Sequence, residues 1–331
     1  MIFGAVPIRK AKGGILAHSI SLQDRRLRKG ITLGDEDIER LEASGLREVV
    51  VARLEANDVH ENQAAADLAK ALVPDSVAAG LERTAAFTGR VNLVATGPGV
   101  VVQDIERLIA LNSIDPMISF ATVSNYQQMH KGGLVGTIKI ISYAVNEEKL
   151  RSACALGAAA VKLMPPKLKT AGLLVSQNGN RRDDKGISAI QARLEALDIN
   201  LEKVMTTDHD LEQMTYALSS LSSDLLLVLT SSATSDFNDT APSAVRAVGG
   251  RIDRFGIPVD PGNLLFLGHI KTRPVIGFPG CVRSPALNGA DWVLSRIACG
   301  VSIDDASFAQ MAVGGLLKEI PTRPQPRRPN R

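Results

Sequence analysis

DLLLVLTSSATSDFNDTAPSAVRAVG, residues 224–249, opens with an unbroken apolar run from Leu225 to Leu229. Its apolar residues do not alternate with polar ones, which suits a strand covered on both faces, as in a parallel sheet. The run ends in small and hydroxylated residues, Thr230, Ser231, Ser232, Ala233, Thr234 and Ser235, ahead of a helix with Pro242 in its first turn. Small residues let backbone N–H groups approach an anion, and hydroxyls add donors, so this bend has the chemistry of a phosphate or oxyanion cradle. An ordinary polar loop has the same composition, and the bend alone does not separate the two.

Working outward, the same rhythm continues on both sides. TAGLLVSQ (170–177) reads as a strand, Ile187 to Leu197 as a helix, Leu201 to Thr206 as a strand and Leu211 to Leu221 as a helix. After the central stretch come a helix from Pro242 to Val248, strands near Ile252 and over Pro274 to Phe278, and helices over Gly289 to Ala298 and Asp304 to Glu319. Alternating strands and helices predict an α/β fold with a doubly wound, mostly parallel sheet in three layers, its ligand at the carboxyl ends of the strands.

The proline- and lysine-bearing stretch LMPPKLKTA (163–171) marks a boundary. It divides the chain into a mixed α/β domain over 1–165, the regular α/β domain over 166–320 and a Pro/Arg tail, 321–331, expected to be disordered or a linker. In the first domain, strands are expected over Gly14 to Ser19, Glu48 to Leu54, Arg90 to Ala95, Ile118 to Val123 and Thr137 to Ser142. Helices are expected over Glu36 to Ser44, capped by Asp35 or Asp37 and closed by Gly45, and over Asn62 to Leu72. Asp58, Glu61, Asn62 and Arg90 are candidates for facing a ligand there, or equally a cap and a solvated helix start.

Composition narrows the function. The 331 residues are 45% hydrophobic, 22% charged and 4% aromatic, with a formal charge of +3. Arg323, Arg327, Arg328 and Arg331 lie in the tail, and removing those four positives from +3 leaves the body at −1. No basic field for nucleic acid or an anionic membrane results, and few aromatics are available for stacking on bases. Cys154, Cys281 and Cys299 form no C-x-x-C pair, so neither a disulfide framework nor a structural zinc site is encoded. With no signal-peptide core and no spanning apolar run, the expected location is cytoplasmic. His18, His60, His130, His209 and His269 show no H-E-x-x-H spacing, and neither G-x-G-x-x-G nor a Walker loop occurs. The TDHD segment, with Asp208 and Asp210 around His209, has the oxygen ligands of a Mg²⁺ site as well as those of a helix cap.

The second half resembles the molybdopterin-binding domain shared by molybdopterin adenylyltransferases and molybdopterin molybdotransferases. In that family the loop after the third strand reads approximately T-G-G-T-G, then R-D-x-T-P-x-A. TSSATSDFNDTAPSA keeps Thr230, Asp239, Pro242 and Ala244 in register. TAGLLVSQ, whose Ser176 is next to last, is followed by D-K-G-I at Asp184, Lys185, Gly186 and Ile187, and Val204 to Asp208 matches the family's V-x-x-x-D. FPGCVRS matches the family's L-P-G-N-P loop at Pro279 and Gly280, and Arg283 is placed to reach a phosphate or the pterin. The chain departs from the pattern where loop glycines become Ser231, Ser232 and Thr234, where Asn238 replaces the basic residue before the acid, and where Cys281 replaces asparagine. GGILAHSISL and the following residues of the first domain are similar to molybdotransferases at the level of fold only.

The resemblance implies molybdopterin as substrate or ligand, Mg²⁺, ATP or AMP and molybdate as co-reactants, and a transferase of molybdenum cofactor biosynthesis. Asp239 and Asp208 become its catalytic and metal-binding acids, and Thr230 to Ser235 its phosphate cradle, with Ser176, Asp184, Lys185, Gly186, Pro279, Gly280 and Arg283 on the ligand. A non-catalytic molybdopterin carrier or insertion chaperone, or the pterin-binding half of a fusion with a nucleotidyltransferase, is the alternative. Oligomers of the chain and a molybdoenzyme or nucleotidyltransferase are the implied protein partners; nucleic acid and membrane are not.

Overall fold

The computed structural model describes the chain except for residues 24, 178, 180–182 and 318–331. It divides into two compact units. One comprises residues 1–96, 101–125 and 131–163, and the other 97–100, 126–130 and 164–331. The 321–331 tail lies outside the described residues.

In the first unit, the strand Glu48–Arg53 lies between Ile2–Pro7 and Ile15–Leu16, antiparallel to both. Leu16, Leu27, Leu33, Leu41, Val49 and Val51 close a small core beneath it. The helix Asp35–Ala43 is capped by Gly34 rather than by an aspartate. Asp37 nevertheless takes part, because its carboxylate accepts the Gly34 N–H at 3.1 Å. Gly45, at φ +79°, ends the helix as expected.

A second antiparallel sheet runs in the order Ile118–Thr122, Leu134–Ile140, Arg90–Ala95, Leu81–Arg83. The strand expected from Thr137 begins three residues earlier, at Leu134. Gly136 makes that possible, since a Cβ there would sit 2.7 Å from the Phe120 ring. The helix Glu61–Leu72 is capped by His60, whose Nδ1 accepts the Asn62 N–H at 3.2 Å. Asn62 Oδ1 accepts the Gly89 N–H at 2.8 Å, and Glu61 is buried 3.9 Å from Lys139. Both side chains are thus engaged within the unit.

The second unit is built on a six-stranded sheet in the order Asn200–Asp208, Thr170–Gln177, Leu225–Leu229, Arg273–Phe278, Phe266–Ile270, Arg251–Phe255. The first four strands are parallel; Phe266–Ile270 is antiparallel to both neighbours. The whole of Leu225–Leu229 is buried, as its unbroken apolar run requires. Successive residues of Thr170–Gln177 feed different cores. Leu173 and Val175 pack with Ile187, Ile190, Val293 and Leu294 of two helices, whereas Leu174 packs with Met214, Leu218, Ala244 and Val245 of two others.

Two expectations are corrected. The sequence pattern places no strand over Phe266–Ile270, but this segment pairs with Arg273–Phe278 through a tight turn with Lys271 at φ +57°. Gly277 lets the Phe266 ring lie on the neighbouring strand, where a Cβ would come within 1.9 Å of it. The last helix spans only Asp305–Gln310 rather than 304–319. Gly314 turns the chain at φ +85°, and the Leu317 N–H bonds back to Asp260 O at 2.9 Å. Among the described residues, no helix is long and apolar enough to cross a membrane.

Candidate anion site at the carboxyl ends of the parallel strands

Thr230 and Thr234 are buried, and Ser231, Ser232, Ala233 and Ser235 are exposed. The burial follows from hydrogen bonding inside the bend. Thr230 Oγ1 donates to Ser232 O at 2.6 Å and lies 3.4 Å from Thr234 Oγ1. Two hydroxyls expected to face a ligand therefore brace the loop, and three side-chain hydroxyls and Ala233 remain outside. The N–H groups of Ser232 and Ala233 take no acceptor among the described residues.

Asp239 is the N-cap of the helix Thr240–Ala247. Its Oδ1 accepts the Thr240 N–H at 2.7 Å and its Oδ2 the Ser235 N–H at 3.1 Å, so one carboxylate closes the loop at both sides. Asn238 Oδ1 accepts from Arg246 at 3.3 Å; the same guanidinium donates to Phe237 O at 2.7 Å and lies 4.6 Å from the Phe237 ring centroid. A cation from the helix thus steadies the segment where the family keeps its basic residue.

Ser176 is 1% exposed, and its Oγ accepts the Ser231 N–H at 3.2 Å while lying 2.8 Å from His209 Nδ1. His209 Nε2 is 4.0 Å from Asp239 Oδ1. Asp208 is exposed at the end of its strand, and its Oδ2 accepts from Gln213 at 3.4 Å. Asp210 caps the next helix by accepting the Gln213 N–H at 3.0 Å. Gln177 Oε1 and Thr207 Oγ1 are buried, with no hydrogen-bond partner among the described residues.

The remaining predicted residues come from two further loops. Asp184 and Lys185 are exposed in the first turn of the helix Asp184–Glu195. Gly186 is buried, and a Cβ there would meet Leu229 Cδ2 at 2.6 Å and Asp183 Oδ2 at 2.7 Å. Close packing of helix on strand, rather than ligand approach, accounts for this glycine. Pro279 is buried and Gly280 exposed at the start of the short 3₁₀ turn Gly280–Arg283. Arg283 donates from Nε to Asp183 Oδ2 at 2.7 Å and from Nη2 to Thr230 O at 2.8 Å. It ties together the loops that follow three adjacent strands.

Reading the sequence missed Asp183, Arg193 and the tie made by Arg283. Asp183 had a legible signal, since an aspartate three residues before Gly186 can cap the helix, and its Oδ1 accepts the Gly186 N–H at 3.0 Å. Arg193 had none. It pairs with Asp291 at 2.5 Å and donates to Val282 O at 3.0 Å and Ser284 O at 2.8 Å, holding the Gly280–Arg283 turn from behind.

Chemically, this end of the sheet offers free N–H groups, exposed hydroxyls and a carboxylate already committed to backbone. Asp183, Asp210 and Asp239 also cap three helices whose N-termini follow the parallel strands. Their charges offset the positive helix ends, so an anion depends on the local N–H and hydroxyl donors of the loop. Among the described residues, no three His, Cys, Asp or Glu side chains group as a metal site.

A model of a domain of unknown function, DUF8806, matches residues 5–53. No curated protein matches the chain. Among solved structures it is similar to a molybdopterin biosynthesis moea protein from Pyrococcus horikosii, with 14% identity over 91% of this chain and 75% of that one, at a TM-score of 0.32. It is also similar to a molybdopterin biosynthesis protein from Mycobacterium abscessus, with 12% identity over 45% of this chain and 98% of that one, at 0.30. A molybdenum cofactor biosynthesis protein from Pyrococcus furiosus gives 11% identity over 97% of this chain and 66% of that one, at 0.21.

Proposed function

We propose that the second unit holds the phosphate end of molybdopterin and that the protein serves molybdenum cofactor biosynthesis as a molybdopterin-binding transferase. The step is insertion of molybdate into adenylylated molybdopterin, or adenylylation of molybdopterin itself. One observation carries this reading: segments that match the family pattern, up to a hundred residues apart, are tied at one end of the parallel strands by Arg283 through Asp183 and Thr230 O.

In this reading the Ser232 and Ala233 N–H groups and the Ser231, Ser232 and Ser235 hydroxyls meet the terminal phosphate, whose charge strengthens each hydrogen bond. Asp239 fixes the loop by its two backbone bonds. Asp184, Lys185 and Gly280, exposed on the flanking loops, face the rest of the ligand. Asp208 and Asp239 do not form a magnesium site by themselves, since both Asp239 oxygens already accept N–H groups. Asp208 and Asp239 would hold Mg²⁺ only through water, and the metal would supply charge neutralisation to a nucleotide's phosphates.

The commitment of Asp239 and Arg283 to protein partners favours a second reading, a molybdopterin carrier without turnover. Two assays of the purified protein separate the readings: molybdopterin with Mg²⁺ and ATP, scored by AMP transfer and pyrophosphate release, and adenylylated molybdopterin with molybdate, scored by AMP release. Turnover abolished by Asp239→Asn supports the transferase. Tight pterin binding without turnover supports the carrier, and absence of pterin binding removes both.

A further inference from the structure

The bend that closes Leu225–Leu229 is linked to the neighbouring strand by a short hydrogen-bonded chain, Ser231 N–H to Ser176 Oγ to His209 Nδ1. A serine hydroxyl has one proton to donate and can accept from others. Ser176 Oγ already accepts the Ser231 N–H, and the hydroxyl is buried, with His209 Nδ1 as its remaining partner among the described residues. An O–H left without an acceptor there is costly, so it points at Nδ1, which must then be the unprotonated nitrogen. The ring proton is thereby placed on Nε2.

Nε2 is the atom on the loop side. It stands 4.0 Å from Asp239 Oδ1, beyond hydrogen-bond reach, and the side chain keeps 17% exposure. Each Asp239 oxygen already accepts one backbone N–H, and Oδ1 lies too far from Nε2 to take this proton. Arg283 gives Nε and Nη2 to protein oxygens, and Asn238 stands where the resembled family has a cation. Beside the bend's own N–H and hydroxyl groups, the Nε2–H of His209 is therefore a further donor on the loop side.

We infer that His209 is an anion-binding residue of this site, a neutral imidazole locked by Ser176 in the Nε2–H form and donating to a phosphate oxygen held at the Ser231–Ser235 bend. The inference deepens the proposed function and rests on that reading for the identity of the phosphate ester. Its general content is narrower: this bend takes an oxyanion, and histidine replaces the missing cation without bringing a permanent charge beside Asp239. Ser176 is then a positioning residue, acting only through the ring.

The experiment is ¹⁵N spectroscopy of the histidine rings in the full chain at pH 8, with inorganic phosphate, pyrophosphate and molybdopterin as separate probes. The expected ligand-free state has His209 protonated on Nε2, with Ser176→Ala releasing it to a tautomer mixture. Phosphate or pyrophosphate should shift the Nε2–H signal. His209→Ala should weaken binding by about tenfold or more, the usual effect of losing a hydrogen bond to a charged group, with His209→Gln recovering part of it. Protonation at Nδ1, a ring signal indifferent to all three probes, or unchanged binding by His209→Ala overturns the inference. Ring shifts with phosphate but no molybdopterin binding leave it standing and remove the pterin reading. Molybdopterin bound equally well by His209→Ala does the reverse.

Discussion

Gly186 illustrates how one residue fixes the site without touching a ligand. Its absent Cβ would occupy space held by Leu229 Cδ2 and Asp183 Oδ2, and Leu229 is fully buried. Gly186→Ala should cost about 1–3 kcal/mol, read as a lower denaturant midpoint, because buried Leu229 has no room to retreat and a shift of Asp183 disturbs its bond to Arg283. Thiol chemistry offers a second check at this scale. Burial pushes the Cys154 and Cys299 thiols up to about 11, so labelling of native protein at pH 8 should modify Cys281, in the Gly280–Arg283 turn, ahead of both. Rapid labelling of Cys299 would contradict the packing. Residue identities were legible at Thr230 and Asp239, but their orientations were not: sequence marks a hydroxyl or carboxylate, whereas the fold decides whether it faces ligand or braces its own loop.

Elements were read well where one physical signal dominated. The apolar run 225–229 and the helix Gly289–Ala298 have the expected positions, since continuous burial and helical spacing leave little choice. Phe266–Ile270 was hidden because its strand depends on Gly277 across the pair, a contact no local pattern contains. The final helix was overextended because Gly314 and the backbone bond from Leu317 to Asp260 override its apolar spacing.

Arg193→Met should cost about 3 kcal/mol in chemical denaturation by leaving Asp291, which keeps the Asn288 N–H, without its cation in a mostly buried site. At the start of Leu225–Leu229, Asp224 accepts the N–H groups of Lys169 and Thr170, the first of which chiefly lowers its carboxyl pKa. A folded pKa below the unfolded one gives stability that is present above about pH 4 and lost as pH falls through the folded value. Thermal midpoints measured from pH 6 to pH 3 should therefore decline less steeply for Asp224→Asn than for wild type.

Across the whole molecule, two independently packed units carry one concentrated set of convergent loops, in the second unit. That convergence was foreshadowed by motif order over residues 170–285, while its stitching by Arg283, Asp183 and Arg193 belongs to three dimensions alone. The proposed function requires the exposed part of the bend to receive a negatively charged group. Ser232→Glu tests this most directly, because the side chain is exposed and the bond the residue makes to Thr230 uses its carbonyl. Equilibrium titration with molybdopterin should give a wild type that binds and a variant with unchanged thermal midpoint but affinity lower by on the order of tenfold or more, from like-charge repulsion in place of hydrogen bonding. Equal affinities, or a wild-type chain to which molybdopterin does not bind, would contradict it.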